Sequence, residues 1–172
     1  MLTLNLSRRL TFAVAALACA LLLGFGFYLQ YGRDLEPCPL CLLQRFFFFA
    51  VLAVCVAAAV HGPRGGTVIA YAIGILLFAA GGAAVASRQV WLQHLPADKV
   101  PACGPDLFFM LENFPLAQTL KRLFSGTGEC AVVDWTFLGL SIAEWSLGCF
   151  VALALYALWL AFSKSLRTVG RI

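Results

Sequence analysis

Residues 33–45 read R-D-L-E-P-C-P-L-C-L-L-Q-R, and residues 46–54 continue F-F-F-F-A-V-L-A-V. A short polar joint bearing two prolines runs straight into an apolar run of helical length. Inside the joint lies a C-x-x-C pair, Cys38 and Cys41, and Arg45 follows Cys41 by one helical turn. An arginine leading a membrane span is costly to place, so it needs a reason. Two thiols and a cation at the lip of a membrane helix point to redox chemistry with something dissolved in the bilayer.

Composition supports the membrane half of that statement. Of 172 residues, 62% are hydrophobic and 12% charged, and the mean hydropathy is +0.92. Soluble domains hold nearer ~45–50% apolar residues. The net charge of +4 therefore encodes orientation rather than affinity for nucleic acid.

Four runs are long enough to cross ~30 Å of hydrocarbon at ~1.5 Å per residue. They lie at about 10–29, 40–60, 67–86 and 145–162. The first is too long for a signal peptide, and no A-x-A site follows it. The second carries Gln44 and Arg45 in its first turns. The turn H-G-P-R-G-G separates it from the third, whose Gly74, Gly81 and Gly82 allow close approach of a neighbour. The fourth is preceded by Glu144. The expectation is one all-α domain over residues 1–172, a four-helix transmembrane bundle with loops at about 30–39 and 87–144.

Charge sets the orientation. Arg8, Arg9, Arg64, Lys164, Arg167 and Arg171 lie on one side with no acid, while all eight acids lie on the other side or its helix ends. Both termini are thus expected in the cytoplasm, and the cysteine-bearing loops in an oxidising compartment. Within the long loop, P-L-A-Q-T-L-K-R-L-F at 115–124 has its apolar residues at helical spacing around Lys121 and Arg122. Pro115 suits a helix start and Gly126 a stop. A short amphipathic helix on the bilayer surface is expected there; the alternative is a buried helix of a small external fold.

Of seven cysteines, four fall in the external segments. Cys38 and Cys41 are close enough to oxidise, and Cys41 is expected at a helix N-terminus with Arg45 on the same face. Both features favour the thiolate, the reactive form. A static disulfide is the alternative; zinc would need a second close ligand pair, which is absent, so no metal is expected. Cys103 and Cys130 form the second pair, either a plain brace worth ~3.5 kcal/mol of chain entropy or an exchange partner for the first. Cys19, Cys55 and Cys149 lie within spans and read as packing. Arg45 either snorkels or pairs with Glu36, or faces a bound electron acceptor. Arg88, Gln89, Trp91 and Gln93 leave the outer end of span three, where some could line the same pocket.

These features resemble the bacterial disulfide bond formation protein B family over essentially the whole chain. E-P-C-P-L-C-L-L-Q-R at 36–45 looks like its signature, and W-x-F-L-G-L at 135–140 is also similar. The resemblance implies an inner-membrane thiol:quinone oxidoreductase with redox disulfides Cys38–Cys41 and Cys103–Cys130. A periplasmic DsbA-like oxidase of thioredoxin fold would attack Cys103. Electrons would pass through a Cys38–Cys130 disulfide, and Cys41 would face ubiquinone or menaquinone held near Arg45, with Gln44 and Gln89 as further cofactor contacts. Some relatives carry a histidine where Gln89 stands. The competing function is a non-catalytic four-span protein whose disulfides only brace its loops.

Overall fold

A computed structural model describes residues 2–101, 112–115, 118 and 126–163, with side chains from residue 9 onward except Ala97. Cys103, most of the amphipathic stretch 115–124, and the basic residues of the C-terminal tail lie outside the described residues.

The described chain is an all-α membrane bundle. Its long helices are α1 (Leu2–Gly32), α2 (Pro39–His61), α3 (Gly66–Gln93) and α4 (Ile142–Phe162). All four are long and apolar enough to cross a membrane, α1 through Arg9–Gly32. Two 3-10 turns (Ala97–Lys99 and Gly128–Ala131) and one hairpin, β1 (Thr136–Phe137) with β2 (Leu140–Ser141), complete the described elements.

Local chemistry sets each helix end. Cys38 is the N-cap of α2, Pro39 occupies its first turn, and Gly62 closes it at φ 64 with its N–H on the Ala58 carbonyl. This is the proline-in, glycine-out pattern. Helix α4 starts three residues before the expected 145. Ser141 and Glu144 form a capping box: the Ser141 Oγ accepts the Glu144 N–H, and the Glu144 carboxylate accepts the Ser141 N–H. Glu144 is therefore inside the first turn, satisfying orphan donors, rather than ahead of the span.

Helix α3 runs seven residues beyond the expected 86. Arg88 looked like the end of the span, but only one face of this extension is wet. Val85, Gln89 and Leu92 are buried, while the Arg88 guanidinium lies 4.2 Å from the exposed Trp91 ring. The extra two turns carry Gln89 and Gln93 to the level of the cysteines.

Packing runs α1 on α2, α2 on α3 and α3 on α4. Phe48 of α2 stacks on Phe150 of α4, centroids 4.0 Å apart. Phe150 and the neighbouring Phe47 meet α3 where it has no side chain. A Cβ on Gly82 would lie 2.3 Å from the Phe150 ring, and one on Gly81 2.6 Å from Phe47. Gly74 meets Val54 only at ordinary contact distance, 3.5 Å, so two of the three glycines are demanded by close approach. Helices α1 and α4 meet at the end that holds the His61–Gly66 connection, where the Tyr156 hydroxyl donates to the Thr11 carbonyl at 2.9 Å. Towards the other end a cavity of about 820 Å³ opens against α1, α2 and α4.

Candidate active site

The site is built on the N-terminus of α2. A helix start leaves backbone N–H groups without partners, and here sulfur takes two of them. The Cys41 N–H donates to Cys38 Sγ at 3.4 Å, and the Leu40 N–H donates to the Cys130 sulfur. The C-x-x-C motif thus occupies the positions of an N-cap and its third residue, with a thiol in place of the usual oxygen.

Cys38 and Cys41 stand with their sulfurs 3.0 Å apart. Cys130, distant in sequence, is delivered by the 3-10 turn Gly128–Ala131, whose first bond runs from the Cys130 N–H to the Thr127 carbonyl at 2.9 Å. Its side chain is fully buried among Leu40, Val85 and Leu92 and hydrogen-bonds to Cys38. The three sulfurs form a row with Cys38 in the middle. All three are thiols, with no disulfide between them.

The row polarises its members. The Cys38 thiol donates to Cys130, and the Leu40 and Thr127 N–H groups and the Thr127 hydroxyl add to that, so the Cys130 pKa falls to about 6 despite burial. Cys38 is pushed strongly up, because its proton is shared first with Cys130 and then with Cys41, and because it is buried. The row thus favours the proton on Cys38 and the thiolate on Cys130.

One amide, Gln89, holds the pair from α3, and a second, Gln44 of α2, orients it. Gln89 and Gln44 are each only 3% exposed. The Gln44 Nε2 donates to Gln89 Oε1 at 2.7 Å. That turns the Gln89 Nε2 towards the sulfurs, 3.2 Å from Cys41 and 3.4 Å from Cys38. Both glutamines line the cavity, with the Gln44 amide nitrogen engaged on Gln89 and the Gln89 amide engaged with Gln44 and sulfur.

Arg45 faces α1. It donates to the Gln30 side-chain carbonyl and to the Gly26 backbone carbonyl at 2.8 Å, over the Phe27 ring at 5.0 Å. Its partner is therefore this α1 carbonyl pair, not Glu36. Two of its five N–H donors are used this way, and the residue still borders the cavity. Gln93 also lines the cavity and accepts from the Ser141 hydroxyl at 2.8 Å, tying α3 to the start of α4. Cys149 borders the cavity as well, whereas Cys19 and Cys55 are wholly buried in the bundle core.

Sequence reasoning missed Thr127 and the Leu40 N–H as sulfur ligands. A G-T-G-E-C run announces a turn, but nothing local says that it closes onto another helix.

The family model for the disulfide bond formation protein DsbB matches residues 8–160. A disulfide bond formation protein B from Azoarcus sp. (strain BH72) is 48% identical over 167 residues, 97% of this chain and 100% of the relative. Those of Hahella chejuensis and Methylococcus capsulatus are 51% identical over 154 residues and 50% over 152, covering 90% and 88% of this chain and 92% and 93% of the relatives. With a sulfur row at the head of a four-span bundle and likeness along nearly its whole length, this chain belongs to the DsbB family of disulfide bond formation proteins.

Proposed function

We propose that this chain is a thiol:quinone oxidoreductase: it reoxidises a soluble DsbA-like dithiol protein and passes the electrons to ubiquinone or menaquinone. The observation that carries the reading is the row Cys130, Cys38, Cys41, which leads from a buried loop cysteine to an apolar cavity.

The steps balance as thiol exchanges. A partner thiolate attacks Cys103 of the Cys103–Cys130 disulfide, and the partner's second thiol resolves the mixed disulfide. The partner leaves oxidised, with Cys103 and Cys130 reduced. The Cys130 thiolate then attacks Cys38; the Cys38–Cys130 bond forms as Cys38–Cys41 breaks, and Cys41 leaves as thiolate. Attack by Cys103 on Cys130 restores their disulfide and releases Cys38 as a thiol. The chain now holds the partner's two electrons on Cys38 and Cys41. Cys130 suits the attacking role because the Leu40 and Thr127 N–H groups and the Thr127 hydroxyl, which remain when Cys38 is in its disulfide, favour its thiolate. The α2 N–H groups and the Gln89 amide hold the sulfurs in line.

A quinone, when bound, takes up two electrons and two protons. The cavity fits such a ring in volume, with apolar walls from Leu22, Phe25 and Phe48, Arg45 as a cation, and Cys41 as the donor sulfur. Gln44, held on Gln89, keeps water-seeking groups satisfied beside it. The K/R bias supports cytoplasmic termini in a bacterial inner membrane with the cysteine end periplasmic; reporter fusions after His61 and after Ser125 are expected to give opposite signals.

The test is turnover of purified protein in nanodiscs with a reduced DsbA-type partner and a soluble quinone. One quinone consumed per partner disulfide formed is the expected result. No partner oxidation would favour the loop-bracing reading, and partner oxidation independent of quinone would remove the quinone step; either result overturns this proposal.

A further inference from the structure

The hairpin at Thr136–Ser141 breaks the usual rule for a turn in water. Its strands pair Thr136 with Ser141 and Phe137 with Leu140. The two residues between them, Leu138 and Gly139, have φ 54 and 80. Tight hairpin turns with positive φ at both central positions favour Asn or Asp followed by Gly. Here the first position is leucine, a residue that rarely adopts this conformation. It points outward at 78% exposure, the highest of the large apolar side chains among the described residues. Phe137 and Leu140 beside it are 53% and 41% exposed. The tip F-L-G-L carries no polar side chain, and such a run facing water is a liability unless something covers it.

The position of the hairpin says what covers it. Strand β2 passes into α4 with no linker, because Ser141 is both its last residue and the cap of α4. Helix α4 has 21 residues, about 32 Å at ~1.5 Å per residue, which matches the ~30 Å hydrocarbon core. Its first residue therefore lies at the boundary of that core, and the hairpin lies in the interfacial layer. Ser141 on Gln93 fixes the base of the hairpin to α3. The Trp145 indole donates to the Phe137 carbonyl at 3.0 Å. Trp135 stacks on Phe137 at 6.0 Å and meets Phe25 of α1 edge-on at 5.7 Å. Tryptophan is the side chain most suited to this layer.

We infer that the hairpin tip, Phe137 to Leu140, is a seat in the bilayer interface on the cysteine side, with Leu138 inserted among lipid headgroups and upper acyl chains. Its aromatic base spans from α1 to α4 over the cavity, which Phe25, Trp135, Phe137 and Trp145 line. The lipid surface thereby holds the roof of the cavity in place.

The experiment uses the full chain in nanodiscs of phosphatidylethanolamine and phosphatidylglycerol, avoiding cysteine labels because of the redox thiols. Benzoyl-phenylalanine is encoded at position 138 and, as a control, at the exposed Lys99. Irradiation is expected to give phospholipid adducts at 138, seen by mass spectrometry, and several-fold fewer at 99. Adducts at 138 that go to residues 102–125 of the same chain, or an equal lipid yield at both positions, overturn the proposal. Leu138→Asn supplies the second arm. In water asparagine relieves the turn, so an unchanged or raised Tm in nanodiscs overturns the seat. A Tm lowered by about 2–4 °C, with capture by lipid at 138, supports it.

Discussion

At the level of Cys19 and Cys55 the helices close on one another, and both sulfurs sit wholly buried in one apolar cluster with Phe12, Ile75 and Leu153. At the level of Cys38, Cys41 and Cys130 the same residue type meets backbone N–H groups, a glutamine amide and the edge of a cavity. A thiol surrounded only by carbon is a small hydrophobe. A thiol at a helix start with donors aimed at it is a nucleophile. The bundle separates the two by height along the same helices: α2 holds Cys41 in its first turn and Cys55 four turns later.

The largest expected effect removes the chemistry and leaves the packing. Cys38→Ala should abolish quinone-dependent oxidation of the partner, whereas Cys19→Ala and Cys55→Ala keep turnover within about twofold and lower stability by ~1 kcal/mol. Paired turnover and thermal-melt measurements check this. Turnover surviving in Cys38→Ala would break the comparison at its centre.

The converse experiment spoils packing and spares the thiols. Gly82→Ala places a methyl 2.3 Å from the Phe150 ring, and overpacking of that kind costs about 1–3 kcal/mol. Gly74→Ala, with only ordinary contacts, should be neutral or slightly stabilising. The two melts, compared in one lipid, should separate by several degrees in that order. Thiol exchange at low temperature should stay unaltered in both.

Arg45 belongs to both regions, since it clamps α1 and borders the cavity. Arg45→Ala is expected to raise the quinone KM roughly tenfold or more, the worth of a hydrogen bond to a charged group, ~1.5–3 kcal/mol. Arg45→Lys should do less, because lysine keeps the charge but not the planar fork. A KM unchanged in Arg45→Ala, measured by quinone titration in one detergent, would reduce the residue to a helix clamp.

The smallest signal is a pH midpoint. With the Cys130 pKa near 6, reduced protein should lose one thiolate's absorbance at 240 nm as pH falls through about 6, and Cys130→Ser should remove that step. Cys38→Ala should move the midpoint upward, since the Cys38 thiol is the largest cause of the lowering. The sign for stability follows. A lowered folded-state pKa stabilises the reduced fold fully above the ordinary thiol range, and that contribution is lost as pH falls through about 6.

Sequence by itself determined the four apolar runs, the place of the first cysteine pair at a helix start, and the packing of Cys19 and Cys55 within the spans. Each follows from local rules: span length, proline before an apolar run, and a lone thiol among hydrocarbon. Even the start of α4 is written in S-I-A-E at 141–144, a capping box whose Glu144 also resembles a boundary charge ahead of a span. The length of α3 was less legible, because a charge at Arg88 ends an apolar run without ending a helix. Tertiary structure alone decided the rest. Gln44 finds Gln89 across 45 residues, Cys130 finds Cys38 across 92, and Arg45 takes carbonyls on α1 rather than the nearby Glu36. Those contacts depend on how far α3 rises and where a 3-10 turn lands, and no spacing along the chain encodes the distance between two helices.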